Sequence, residues 1–211
     1  MKAYIFVLAL VLAFTSCASQ KTEHAAHPPA NTSSNMAGQH HSGSDHAAMA
    51  SSPGAAEAPY DLQFIDTMIA HHQGAIDMAK LAAGRADDDD LKQLTTEIIE
   101  DQGEEITKMT EWRNAWFPDK PNPAINMGLP GMSHGMGGMD LAKLGSLNGT
   151  EFDKEFVNQM IPHHEGAIEM GRDLANRTQR TELKELAGAI ITDQQAEIED
   201  MKEWSDEWKN E

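Results

Sequence analysis

The sequence predicts an all-α protein, a four-helix bundle made of two duplicated helical hairpins with a disordered tether in front. Three observations carry this. The chain repeats itself at a fixed offset of 92 residues. Apolar residues in each copy recur at helical spacing, with no strand-like alternation. The stretch ahead of the first copy, Ala18 to Pro59, contains no Ile, Leu, Val or Phe from which to build a core.

The repeat is gapless. Phe64–Phe117 lies over Phe156–Lys209 with about 24 of the 54 pairs identical, which marks an internal duplication. Its most conspicuous phrase, MIAHHQGAIDM at Met68–Met78, returns as MIPHHEGAIEM at Met160–Met170. The first helix of each copy begins at Asp61 or Asp153, which occupy the expected N-cap positions. It carries apolar residues at Phe64, Met68, Ala75, Met78 and their counterparts, the spacing of one buried face. Gly84–Asp90 and Asn176–Thr181 read as turns, and the acidic run Asp87–Asp90 suits the positive end of the helix that follows. The second helix repeats Leu91, Leu94, Ile98, Met109, Trp112, Trp116 as Leu183, Leu186, Ile190, Met201, Trp204, Trp208. It runs about 25 residues, or roughly 38 Å. A hairpin of this kind cannot cover its own apolar stripe, so two should pair about an approximate two-fold axis.

The domain organisation follows. Residues 1–17 read as a signal peptide: Lys2, an apolar run from Ala3 to Phe14 too short to span a bilayer, and then FTSC, which resembles a lipobox ending at Cys17. A lipidated Cys17 would anchor the chain, and Ala18 after it favours the outer membrane; an ordinary cleaved signal with a chance cysteine is the alternative. Residues 18–59 form the tether, with His24, His27, His40, His41, His46, Met36 and Met49 scattered through it. The bundle occupies 60–209: a first hairpin at 60–117, a connector at 118–150 and a second hairpin at 151–209. Gly and Pro exclude a long helix from the connector, whose Met127, Met132, His134, Met136 and Met139 read either as a Met/His-rich metal loop or as packing residues.

Cys17 is the only cysteine, so the folded part has no disulfide, thiolate site or Cys nucleophile. With 16 Lys and Arg against 34 Asp and Glu, the net charge of −18 excludes nucleic acid as a partner and favours cations. No nucleophile with a base, phosphate loop or cofactor motif is present, so no enzyme is expected.

On a helical wheel His71 and His72 fall on either side of the buried stripe centred on Met68 and Ala75, roughly 100° apart. Neither can point squarely to water. On the second helix Glu105 falls on the core row, with Gln102 beside it and Asp101 at its edge, and the second copy keeps Asp193, Gln194 and Glu197. A buried carboxylate needs a partner, and a facing histidine is the available one. The duplication therefore predicts an inner polar layer of His71, His72, His163 and His164 with Asp101, Glu105, Asp193 and Glu197, framed by Met68, Met78, Met160 and Met170. Mutual His–Glu pairing without metal is one reading. The repetition and the methionines favour a metal site. Imidazole serves several transition metals, while thioether selects soft Cu(I) and Ag(I). Di-iron bundles carry Glu-x-x-His where this chain has Met-x-x-His, which argues for copper over a ferroxidase. Gly74 and Gly166, each costing about 1 kcal/mol in a helix, predict a close helix crossing beside the histidines. Pro162, where the first copy has Ala70, predicts a kink and a freed Asn158 carbonyl.

The combined pattern F-x-x-x-M-I-x-H-H-x-x-A-I-x-M then D-Q-x-x-E-I-x-x-M-x-x-W resembles the domain-of-unknown-function family numbered 305. Both phrases stand in both copies, and together they cover nearly all of 60–209. The resemblance implies a ferritin-like fold and a kinship with exported bacterial copper-binding proteins of the CopM type. It implies a periplasmic, copper-handling protein that sequesters Cu(I) or passes it to a transport partner. The rivals are a ferritin-like metal-dependent oxidase and a structural bundle that binds no metal.

Overall fold

The computed structural model describes residues 50–209, and these fold into six α-helices without a strand. Helix α1 spans Tyr60–Ala82 and α2 Asp89–Trp116; α5 spans Thr150–Arg177 and α6 Thr181–Glu207. Two short helices, α3 at Met132–Gly137 and α4 at Leu141–Ser146, lie in the connector. The principal contacts are α1 on α2 and α5 on α6, with α1 against α5 joining the hairpins. This is the four-helix bundle expected from the duplication. The signal segment, Cys17 and the tether histidines lie outside the described residues. Among the described residues no helix is long and apolar enough to cross a membrane.

One apolar core runs through both hairpins, from Phe64, Leu91 and Ile98 to Phe156, Leu183 and Ile190. The four tryptophans pack on its margin, with Trp112 and Trp116 stacked at 5.5 Å. Asp88, in the acidic run, caps α2 by accepting from the Leu91 N–H at 3.0 Å.

Several boundaries differ from the sequence reading. Asp61 and Asp153 are not N-caps, because α1 and α5 begin upstream of them, with Pro59 and Gly149 at the cap positions. Each aspartate instead grips the turn of the opposite hairpin. Asp61 pairs with Arg180 at 3.3 Å, and buried Asp153 accepts from the N–H groups of Asp87 and Asp88 at 3.2 and 3.0 Å. Pro162 lies inside α5, which continues through it as one 28-residue helix. Ordered structure also starts before residue 60: Ala55–Glu57 form a 3-10 turn, and Ser52 N–H donates to Ile125 O at 2.8 Å.

The connector is docked. Its start is pinned by buried Asp66, which pairs with Arg113 and accepts from Ala124 N–H at 2.7 Å, while Arg113 also donates to the carbonyls of Lys120 and Asn122. The second copy has Asn158 and Ser205 in these places. Helix α3 then crosses α5 so closely that a Cβ on Gly166 would sit 2.6 Å from Gly131 O and 2.7 Å from Gly135 Cα. Gly131 is doubly constrained: its φ is +82°, and a Cβ would lie 2.2 Å from Gly166 O.

The three nearest neighbours of that missing Cβ on Gly166 are backbone atoms, so they cannot yield by rotating a side chain. Gly166→Ala should destabilise the protein by about 1–3 kcal/mol, lowering the melting temperature roughly 2–4 °C per kcal/mol. Gly103, a helical glycine with nothing within 4 Å of its Cβ position, is the control. There Ala should stabilise by about 0.5–1 kcal/mol. Equal melting temperatures for the two variants would contradict the docking of α3.

Candidate metal centre

Packing α1 against α5 brings the two His-His pairs together at mid-helix. All four rings are fully buried. His71 and His163 face each other, ring centroids 3.8 Å apart and planes inclined by 37°. Neither Nδ1 nor Nε2 of either ring has a hydrogen-bond partner. His72 and His164 stand outside this pair, 6.3 and 6.1 Å from their neighbours in sequence. Each meets a carboxylate: His72 Nε2 lies 2.7 Å from Glu105 Oε2, and His164 Nε2 lies 2.6 Å from Glu197 Oε2, the second contact less well aligned. A neutral imidazole that donates from Nε2 to a carboxylate keeps its lone pair on Nδ1. Both Nδ1 atoms are buried and unpartnered.

The inner pair is held neutral. Burial pushes His71 and His163 well below the usual histidine range, and the neighbouring histidines add to the effect. The sequence predicts two aspartates within the polar layer, but Asp101 and Asp193 lie on exposed surface. Their carboxyls are raised by partial burial and then by nearby acids, Glu197 and Asp193 for Asp101, Glu105 and Glu197 for Asp193. The four carboxylates thus form a negative patch outside the histidines, which favours cations.

Met68, Met78, Met160 and Met170 are all buried in the core. So are Met132, Met136 and Met139 of the connector, while Met127 is half-buried and His134 exposed. The close approach expected at Gly74 and Gly166 is made largely by this connector. A Cβ on Gly74 would meet Met139 Cε and Sδ at 3.1 and 3.2 Å and His163 Nε2 at 3.4 Å; one on Gly135 would meet His71 Nε2 at 2.5 Å. The spacing G-x-x-x-G at Gly131–Gly135 was the available signal for this contact. Among the described residues no three His, Cys, Asp or Glu converge on one point that could hold a metal ion.

A duplicated four-helix bundle with an inward His-His pair on each half defines the class: the chain belongs to the DUF305 family, a domain of unknown function, whose profile matches residues 61–205. Among solved structures it is similar to CopM in the Cu(I)-bound form, 39% identical with a TM-score of 0.60, covering 72% of this chain and 99% of that one. CopM in the Cu(II)-bound form is 42% identical with a TM-score of 0.61, covering 70% and 97%. A DUF305 fragment from Deinococcus radiodurans is 27% identical with a TM-score of 0.60, covering 71% and 97%. An uncharacterised protein of Acanthamoeba polyphaga mimivirus is 47% identical over 57 residues, 27% of this chain, and the match spans only 38% of that protein.

Neutral burial of His71 and His163 has a consequence for the metal-free protein. The unfolded chain takes up protons near pH 6.5 while the folded pair resists them. Stability is therefore full above that pH and lost as pH falls. The expected slope is up to about 1.4 kcal/mol per pH unit for each histidine. Denaturant melts from pH 7.5 to 5 of metal-free protein check this against the His71→Leu/His163→Leu variant, whose profile should be flatter. Identical profiles would refute the neutral pair.

Proposed function

We propose that this chain is an exported copper-handling protein that holds Cu(I) between its two His-His pairs and sequesters it or passes it on. The observation that carries the reading is the facing His71–His163 pair, with four ring nitrogens buried and unpartnered. Each such group costs about 1–3 kcal/mol, which a purely structural bundle would avoid with apolar residues. The donor chemistry fits a soft ion: neutral inner imidazoles in a core that also buries methionines, with Met139 Sδ beside His163 Nε2. Similarity to CopM, whose structures hold Cu(I), Cu(II) and silver, supports copper over other metals.

The roles divide by position. His71 and His163 are the imidazole donors, flanked by His72 and His164. Glu105 and Glu197 orient the outer histidines and fix their tautomers, as outer-shell carboxylates do. Met68, Met78, Met160 and Met170 supply soft surroundings. Asp101 and Asp193 attract cations to the bundle surface. Export and a lipid anchor at Cys17 follow from the leader alone.

Replacing His71 and His163 by Leu should weaken Cu(I) binding by about 100-fold or more, while raising the stability of the metal-free protein by about 1–3 kcal/mol. Competitive Cu(I) titration and denaturant melts read the two effects. Undiminished binding would overturn the site, and oxygen-dependent turnover of Cu(I) or Fe(II) would favour the oxidase reading. Separately, Cys17→Ser should move the protein from membrane to soluble fractions on cell fractionation; a wild type already soluble would remove the anchor.

A further inference from the structure

We infer that the thioether of Met139, delivered by the connector, is the soft donor that completes the site between the two histidine pairs. This rests on the proposed histidine site and adds to it a residue from outside the duplicated helices.

The sulfur is in place. Met139 is buried, and its Sδ and an unpartnered ring nitrogen, His163 Nε2, both lie within 3.4 Å of the point where a Cβ on Gly74 would stand. The absence of a side chain at Gly74 is what lets thioether and imidazole share that space. The connector needs a second glycine to reach this depth, since a Cβ on Gly135 would strike His71 Nε2.

The backbone around Met139 is also fixed. Its N–H donates to Met136 O at 3.3 Å. The next residue, Asp140, donates its N–H to Gln159 Oε1 at 2.8 Å and accepts from Gln159 Nε2 at 3.4 Å. Gln159 is buried on α5, one turn before His163, so helix and thioether are clamped in register. The donor chemistry closes the argument. Among the described residues no group of three His, Cys, Asp or Glu gathers at one point, and the Met139 sulfur is the soft donor beside His163 Nε2. A thioether adds affinity for monovalent soft ions and little for harder ones, which makes Met139 a selectivity residue for Cu(I) or Ag(I) over Zn(II).

The test uses the full chain and its Met139→Leu variant, a swap close to volume-conserving. Competitive titration should show Cu(I) and Ag(I) binding weakened by about tenfold or more, and Zn(II) binding changed by less than about threefold. Copper-edge X-ray absorption of loaded protein should lose a sulfur scatterer in Met139→Leu and keep it in Met127→Leu. Gly74→Ala gives a second probe that leaves the sulfur in the chain but puts a methyl group into the shared space, and it should weaken Cu(I) likewise. Cu(I) binding that His71→Leu weakens but Met139→Leu leaves unchanged, with the same sulfur shell, overturns the thioether assignment alone. Cu(I) binding untouched by His71→Leu overturns the histidine site beneath it.

Discussion

Two imidazoles buried face to face, with none of their nitrogens partnered, are the constraint around which this bundle is built. Folding seldom tolerates such groups, because each forfeits its hydrogen bonds to water and gains none in return. The surrounding structure is what keeps them there. Helices α1 and α5 cross at the histidines, and Gly74, Gly135 and Gly166 remove the side chains that would block the approach of the connector. The apolar core on either side denies the rings any route to solvent. The outer histidines each lie beside a carboxylate, Glu105 or Glu197, which remains partly exposed and so keeps much of its own hydration.

The duplication explains why there are two of everything, and the connector explains why the two are not alike. Asp61 and Asp153 each fasten the other hairpin's turn, a reciprocal contact that only a two-fold arrangement provides. Asp66 and Arg113 have no equivalents in the second copy, because their task is to hold the chain as it leaves α2 for the connector. Helix α3 then lies mainly on α5, so the histidine layer is closed from one side by a single strap. A site built by duplication alone would be symmetric; this one is not.

The bundle was legible because helical periodicity and repetition are both written in the spacing of residues. The His–Glu partnerships were legible for the same reason: Glu105 and Glu197 fall on the core row, where a carboxylate cannot stay alone. Register was harder. Asp61 and Asp153 look like N-caps, yet the helices start earlier, and a local pattern cannot reveal that a distant turn competes for the same carboxylates. The wheel placed Asp101 and Asp193 near the edge of the inner layer, and only the packing of the helices shows them exposed. The connector was the least legible part. Its glycines signal the lack of a long helix, but that they are notches for Gly166 and His71 depends on contacts between segments with no common period.

The energetic cost of the inner pair also suggests how binding and release would be coupled. A ligand that binds only the folded state stabilises it in proportion to its free concentration relative to Kd. On the proposed reading, copper satisfies the nitrogens that the fold leaves bare, so the loaded protein gains what the metal-free protein lacks. The lowest-energy opening of the empty site would then be local. The connector adds Leu129, Met132, Met136, Met139 and Leu144 to the shared core, but its two helices are six residues each, against 23 to 28 for the four long ones. Short helices open at lower cost than long ones. The strap that helps to close the site is therefore the element best placed to let an ion in and out, while the four long helices keep the histidines at their depth.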